Sequence, residues 1–467
     1  MDIKNKRILV VGLGRTGMAV SKFLAGNKAR TAVSDSRPVT ELKQEMEILT
    51  DLGVMVEAGG HLAETFLKAD LIVVSPGIPR TLDPLIEAEK RGIKVISEIE
   101  LAANFIKAPI IAVTGTNGKT TTTSILGKIM KEAGKKAFIG GNIGNPLIEY
   151  PYKLSISREA GGNGEADYII AEISSFQLEG IKSFRPHVGI LLNVSEDHLS
   201  RYSSYIEYVN TKFRLFKNQG KRDFAIINRD DHYISSMSNG LRAATARFSC
   251  KGKVKKGIYL NGENILLSWG DREEVYPVNG LKLKGAHNME NIMAAIAAAR
   301  ICGIERGAIL RAIMDFDGLP HRMEWVRDLK EVSYFNDSKA TNVGAVERSL
   351  QAFDKPVLLI AGGRDKGGDY RHLRKLIEQK VRTLILMGEA REKIRESLGD
   401  CTETILVKSM KEAVSHAFLR ATSGNVVLFS PACSSYDMFK NYEERGGSFR
   451  TLVMALGSHK VFDHWGH

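Results

Sequence analysis

The stretch Ile110-Ile-Ala-Val-Thr-Gly-Thr-Asn-Gly-Lys119-Thr-Thr-Thr-Thr123 decides the fold, because an apolar run ends in two glycines, a lysine and a string of hydroxyls. It reads as a buried strand, a phosphate-binding turn and a helix, the junction at which α/β proteins hold nucleoside triphosphates. Gly115 and Gly118 let backbone N–H groups converge on phosphate oxygens, the helix N-terminus adds partial positive charge, and Lys119 adds a full one. Thr120 then offers a hydroxyl to Mg²⁺. The common pattern GxxxxGK(S/T) requires glycine where Val113 stands, so this loop is a variant whose first glycine lies closer to the lysine. A plain Gly-rich turn with an exposed lysine is the bland alternative. The joint occurrence of strand, glycines, lysine and hydroxyls argues against it.

Outward from this loop the chain divides into three α/β segments. The first, 1–107, runs from an apolar strand at Arg7 into Gly12-Leu-Gly14-Arg-Thr-Gly17 and returns through a strand ending at Asp35. That is a dinucleotide-type fingerprint with an acidic residue where a ribose partner belongs, although by itself it promises only a diphosphate near a helix N-terminus. Strands are expected at Asp70–Ser75, before Pro76-Gly77-Ile78-Pro79, and at Lys94–Ile96. The second segment, 108–318, adds the apolar strand Tyr168-Ile-Ile-Ala-Glu172-Ile173 and the run Val188–Asn193 leading into Val194-Ser-Glu-Asp-His198, with Gly161–Gly164 as an exposed loop. The third, 319–467, alternates strands at Pro356–Ala361, Thr383–Met387 and Val426–Ser430 with helical stretches and polar loops.

Composition excludes several classes. With 43% hydrophobic and 26% charged residues the chain is an ordinary globular sequence, not a disordered one. Its formal charge of +12 is spread along the chain, and the densest cluster, Lys251–Lys256, suits a solvated turn, so an anionic small substrate explains the excess as well as nucleic acid does. Cys250, Cys302, Cys401 and Cys433 lack metal-type spacing and suit reduced thiols. The apolar run Ile8–Val11 is too short for a signal segment, and no stretch of about 18 apolar residues occurs, which points to a cytoplasmic protein without membrane insertion.

Six residues stand out against their surroundings. Glu172 ends a hydrophobic strand, where a carboxylate needs a hydrogen bond, an ion pair or a metal, and a Mg²⁺ ligand is the expected role. His198 sits past the next strand and is a candidate second metal ligand, with a helix-start or core histidine as the alternative. Lys212 lies near the centre of a roughly 120° apolar stripe formed by Tyr205, Tyr208, Val209, Leu215 and Phe216. Either it snorkels outward, or CO₂ converts it to a carbamate that serves as an anionic oxygen ligand. Arg322, in Gly318-Leu-Pro-His-Arg322, follows a hinge, with a solvated arginine as the plain alternative. Asn288 and Asn291 open an Ala-rich helix as caps, with Asn291 also placed to face a base.

Together, Gly115-Thr-Asn-Gly-Lys-Thr-Thr-Thr, Gly141-Asn142, Glu172-Ile-Ser-Ser175, His198, Lys212, His287-Asn288-Met-Glu-Asn291, His321-Arg322 and Asn336-Asp337-Ser-Lys339 resemble the Mur ligase family over essentially the whole chain. The resemblance implies a Rossmann-like first domain for a UDP-sugar, a central P-loop-type ATPase domain with a mostly parallel sheet, and a C-terminal Rossmann-like α/β domain for the incoming amino acid. Its motifs place ATP on Gly115, Thr116, Asn117, Gly118, Lys119, Thr120, Thr121, Asn291, Arg322 and Asp337. They place metal contacts on Thr120, Glu172, His198 and carbamylated Lys212, and the catalytic work on Lys119, Glu172, His198 and Lys212. The UDP-substrate is assigned to Gly14, Arg15, Thr16, Asp35, Ser36, Arg37, Gly77, Asn142 and Ser174.

For the amino acid, D-glutamate, the matching positions are Lys339, Thr341, Lys366, Ser435, Tyr436 and Tyr442, the last often phenylalanine in the family. The implied reaction joins D-glutamate to UDP-N-acetylmuramoyl-L-alanine through an acyl phosphate, using ATP and Mg²⁺, two ions and replaceable by Mn²⁺, in a monomer that closes its domains. A sister ligase adding another amino acid is the nearest alternative, followed by a folylpolyglutamate-synthase-like ligase. An NAD-dependent dehydrogenase explains Gly12–Asp35 but not the second nucleotide loop. A nucleic-acid-dependent ATPase explains the charge, but no basic face with interleaved aromatics is visible.

Overall fold

Near-continuous apolar runs such as Ile8-Leu-Val-Val11 and Leu71-Ile-Val-Val74 are the mark of strands covered on both faces, and they form parallel sheets here. The computed structural model describes residues 1–142, 144–159, 164–197, 201–269, 272–283 and 285–457. The chain divides into two units: Met1–Val194, Ser204–Gly280 and Glu290–Asp315, and Ser195–Ser203, Leu281–Met289 and Phe316–His467.

The first unit carries two sheets. One has five parallel strands in the order Met55–Ala58, Arg30–Asp35, Arg7–Val11, Leu71–Val74, Lys94–Ser97. The order reverses beside Arg7–Val11, and the Gly-rich turn opens at that switch point. Gly17 permits the close packing there, since a Cβ on it would lie 2.0 Å from the Gly12 carbonyl oxygen. The other sheet has nine strands, and the seven from Gly257–Asn261 to Ala137–Gly141 run parallel. Asn264–Trp269 and Arg272–Pro277 extend it as an antiparallel meander. One buried apolar cluster runs from Ile8 and Val10 through Ile99 and Leu101 to Ile110, Ile169 and Leu191, so the two sheets share a core.

The second unit holds six strands in the order Glu324–Leu329, Val332–Asn336, Val426–Phe429, Val357–Gly362, Val381–Met387, Glu403–Leu406. All pairs are parallel except the first, an antiparallel hairpin. Its turn uses Lys330 and Glu331 at φ of 51° and 60°, so the usual Asn-Gly signal of such a turn is missing from the sequence. That hairpin, the edge strand Met55–Ala58 and the meander around Asn261-Gly262 are elements that the sequence reading passed over. Among the described residues no helix is long and apolar enough to cross a membrane, and all four cysteines are free thiols.

Candidate active site

Strand register brings the site of the first unit together. Val113 pairs with Glu172 and with Ile190, and Gly141 pairs with Glu172, so the phosphate loop, the carboxylate and Asn142 leave one edge of the sheet at the same level. The loop turns into the helix Lys119–Glu132 through Gly118, which is its N-cap at φ +85°. A side chain there would be strained, and its Cβ would lie 2.2 Å from Asn291 Oδ1. Asn291, inside the helix Ala286–Ile301 and not at its cap, also accepts a hydrogen bond from Thr122 Oγ1 at 3.2 Å.

Lys119 folds back over the loop, its Nζ donating to the carbonyls of Gly115 and Thr116 at 2.9 Å each. Thr120 Oγ1 donates to Glu172 Oε2 at 2.8 Å, and Asn142 Nδ2 donates to Oε1 at 2.9 Å. Glu172 is 2% exposed, and both of these partners are neutral. A buried anion flanked by a hydroxyl and an amide fits a divalent cation, which takes oxygen ligands and shares them with phosphates. Among the described residues no group of three His, Cys, Asp or Glu could hold a metal ion by itself, and the Thr120–Glu172 pair supplies two candidate oxygen ligands. His198 lies outside the described residues.

Lys212 does not snorkel. It is buried, its Nζ donates to the Gly115 carbonyl at 2.9 Å and stands 4.6 Å from the centre of the Tyr208 ring. The Tyr208 hydroxyl in turn meets Thr116 Oγ1 at 3.1 Å, so the helix Tyr205–Phe213 braces the phosphate loop from one side. Asn193 braces it from the other, an assignment absent from the sequence reading. Its Oδ1 accepts from Asn117 N at 2.9 Å, its Nδ2 donates to Asn117 O at 3.1 Å, and its carbonyl accepts from Thr116 N at 2.9 Å. The only advance signal is a polar residue ending an apolar strand.

The UDP-substrate candidates spread over the rim of the five-stranded sheet and the adjoining strands. Gly14 caps the helix Arg15–Gly26, whose first turn contains Arg15 and Thr16; Ser36 and Gly77 are exposed. Arg15 Nη2 donates to Asn145 Oδ1 at 2.9 Å, joining the Gly-rich turn to the segment after Asn142. Asp35 accepts from Leu13 N at 2.6 Å and from Arg37 N and Nε at 2.9 and 3.0 Å. Burial alone would push its carboxyl up, but Arg37 and the two backbone donors hold it below the usual carboxylate range. Asp35 and Arg37 therefore order the turn itself. Ser174 caps the helix Ser175–Glu179 in a capping box with Gln177.

In the second unit Thr341 and Lys366 approach each other, Nζ to Oγ1 3.5 Å, on the wall of a cavity of about 280 Å³ that Asp197, Asn342 and His372 also line. Asn342 Nδ2 donates to Asp197 Oδ2 at 3.1 Å. Lys339 Nζ stands 3.5 Å from the centre of the Tyr442 ring, the first residue of the helix Tyr442–Ala455. Ser435 is buried, whereas Tyr436 is exposed.

Asp337 is buried, accepting from Ser349, Ser430 and Met323 N. Burial pushes it up to about 6, against those donors and the charge of Arg322. Arg445, a second residue that sequence reasoning missed, is 1% exposed and donates to Ser338 and to the carbonyls of Cys433 and Ser434. It ties the Lys339 loop to the Ser435 loop. In the sequence it is indistinguishable from a solvated helix arginine.

Models of three families match in succession: the Mur ligase MurD-like N-terminal domain over residues 6–97, the Mur ligase middle domain over 113–299, and the Mur ligase glutamate ligase domain over 321–433. The chain is 49% identical to the UDP-N-acetylmuramoylalanine–D-glutamate ligase of Geotalea uraniireducens, covering 98% of this chain and 99% of that one. It is 47% identical to the enzyme of the same name from Pelobacter propionicus, over 98% and 100%. Among solved structures it shares the fold of MurF from Acinetobacter baumannii, with TM-score 0.61, 16% identity and 96% and 91% coverage. It likewise shares that of UDP-N-acetylmuramate-alanine ligase MurC from Thermotoga maritima, with TM-score 0.57, 19% identity and 96% and 99% coverage. With all three domain models matched in order and relatives aligned along nearly its whole length, the chain belongs to the Mur ligase family.

Proposed function

We propose that the protein is an ATP-dependent ligase that joins the amine of D-glutamate to the L-alanyl carboxylate of UDP-N-acetylmuramoyl-L-alanine, in the cytoplasm and as a monomer. The observation that carries the reaction class is the hydrogen-bonded series Asn142–Glu172–Thr120 at the mouth of the Gly115–Lys119 loop, where the partners of a buried carboxylate among the described residues are a neutral amide and a hydroxyl. The choice of acceptor and amino acid is supported by full-length likeness to relatives named for that reaction.

A carboxylate is a poor electrophile, so one of its oxygens first attacks the γ-phosphorus of ATP and expels ADP, giving an acyl phosphate. The amine of D-glutamate adds to the carbonyl carbon, loses a proton, and the tetrahedral intermediate collapses to the amide and inorganic phosphate. Mg²⁺, held by Thr120 and Glu172 with His198 as a further candidate, would supply neutralisation of phosphate oxygens. We assign Lys119 and the loop N–H groups of Gly115–Thr121 to the triphosphate, with Asn291, Arg322 and Asp337 toward the rest of ATP. Thr341, Lys366, Lys339 and Tyr442 would receive D-glutamate, cations meeting its two carboxylates. The buried site beside Gly115 suits Lys212 for carbamylation, which turns its cation into an anionic oxygen ligand. Phosphate release measured with ATP and the nucleotide sugar against a panel of amino acids tests the proposal. Turnover confined to D-glutamate is expected, and equal or better turnover with another amino acid would transfer the chain to a sister ligase.

A further inference from the structure

Two carboxylates that the reaction does not use lie in the segment Ser97-Glu98-Ile99-Glu100, directly after the last strand of the five-stranded sheet. Both are buried, Glu98 at 1% and Glu100 at 2% exposed. Two residues apart on a helix, they point in different directions and grip different parts of the nine-stranded sheet region. Glu100 is fully used, accepting from the N–H groups of Lys182, Ser183 and Phe184 at 2.8 to 2.9 Å and from Ser183 Oγ at 2.6 Å. It is a structural clamp. Glu98 differs: its Oε1 accepts from Ile148 N at 2.6 Å, the Leu147 N–H also favours its charged form, and among the described residues its buried Oε2 has no hydrogen-bond partner. Half-satisfied burial of a carboxyl is unfavourable for stability, so an apolar side chain would serve the packing better, and what the carboxyl adds is an acceptor for Ile148 N.

What Glu98 holds is the rear of the stretch that connects the two substrate-bearing loops. Ahead of Ile148, Asn145 Oδ1 accepts from Arg15 of the Gly-rich turn, and its carbonyl accepts from Gly141 N at 2.8 Å. Asn142 N donates to the Glu172 carbonyl at 2.8 Å while its amide holds the Glu172 side chain. The path from Arg15 therefore runs by hydrogen bonds through Asn145 to Gly141, along the chain to Asn142, and by hydrogen bonds on to Glu172 and Thr120. Ile148 follows Asn145 by three residues, so displacing it would disturb Asn145 and, through Gly141, Asn142.

We propose that Glu98 is a positioning residue for the nucleotide-sugar substrate: by anchoring Ile148 it fixes Asn142 and Asn145, and with them the placement of the Gly-rich turn relative to the Glu172–Thr120 pair. The inference rests on the functional reading above, which puts the nucleotide sugar against Arg15 and Asn142. Because Glu98 touches neither reacting atoms nor the phosphate loop, its loss falls first on the nucleotide sugar and spares D-glutamate.

The test compares Glu98→Leu, Glu98→Gln and Asn145→Ala with the wild type in ligation assays that vary each substrate in turn, alongside urea denaturation. Glu98→Leu is expected to raise KM for UDP-N-acetylmuramoyl-L-alanine tenfold or more, with KM for D-glutamate within twofold. Glu98→Gln, which keeps an acceptor for Ile148 N, is expected to restore the value to within threefold. Asn145→Ala should reproduce the selective defect, and it keeps the question open to refutation if Glu98→Leu does not fold. Normal nucleotide-sugar KM in folded Glu98→Leu or in Asn145→Ala, or losses spread equally over all substrates, would overturn the inference. A wild type without D-glutamate-dependent turnover would refute the functional reading and the inference with it, whereas an active wild type with normal variants refutes the inference alone.

Discussion

Replacing Gly118 by alanine should damage the phosphate loop by a predictable amount. The residue sits at φ +85°, in the left-handed region, where a Cβ costs about 1–2 kcal/mol. The new Cβ would also lie 2.2 Å from Asn291 Oδ1 and 3.2 Å from Leu192 Cδ1. Asn291 must then move and give up its bond from Thr122 Oγ1, a further loss of about 1 kcal/mol. The sum is about 2–3 kcal/mol, a shift of roughly 30- to 150-fold in the folding equilibrium. Urea denaturation reads it, and KM for ATP should rise in parallel because the same displacement opens the loop. In an Asn291→Ala background the clash with Asn291 disappears while the backbone strain and the close Leu192 contact remain, so the double-mutant cycle should show a coupling of about 1 kcal/mol. A Gly118→Ala protein within about 0.5 kcal/mol of the wild type and with unchanged ATP KM would refute this account of the loop.

Lys119→Ala should leave the fold intact and lower kcat/KM by about three orders of magnitude, since its electrostatic contact strengthens as charge shifts in the transition state; near-normal turnover would remove the lysine from the site. Lys212→Ala should lose most activity and regain part of it with formate or acetate but not with chloride at equal ionic strength, if an anionic oxygen group is what the position supplies; indifference to carboxylates contradicts carbamylation. Burial raises the Glu98 carboxyl from its ordinary value to about 7, so the folded state holds that proton more tightly than the unfolded one, and the resulting stabilisation is complete below pH of about 4.5 and lost as pH rises through about 7. Glu98→Gln should therefore gain on the wild type between pH 5 and 8, by at most about 3 kcal/mol, in urea midpoints measured across that range; a pH-independent difference contradicts the assignment.

What was legible in the sequence was legible because the chemistry leaves few alternatives. Only glycine suits the turn at Gly118, and a carboxylate such as Glu172 does not end an apolar strand without a partner. Lys212 stood out because a cation in the middle of an apolar stripe is anomalous whichever way it points. The remainder depended on tertiary placement. Asp35 reads from spacing as a ligand contact, and what spacing does not show is that its oxygens also order the turn through Leu13 and Arg37. Arg445 and Asn193 act through backbone groups distant in sequence, and no local pattern marks such bonds. The hairpin at Lys330–Glu331 escaped notice because two ordinary residues occupy left-handed conformations there.

The most direct test of ligation through an acyl phosphate is an oxygen-tracing experiment. UDP-N-acetylmuramoyl-L-alanine labelled with ¹⁸O in its carboxylate is incubated with ATP and D-glutamate, and the released phosphate and the amide product are analysed by mass spectrometry. If a carboxylate oxygen attacks the γ-phosphorus and the amine then expels phosphate from the carbonyl, every amide formed must release one phosphate carrying one carboxylate oxygen. Phosphate without the label, or labelled phosphate formed without a D-glutamyl amide, would contradict the reaction proposed for this chain.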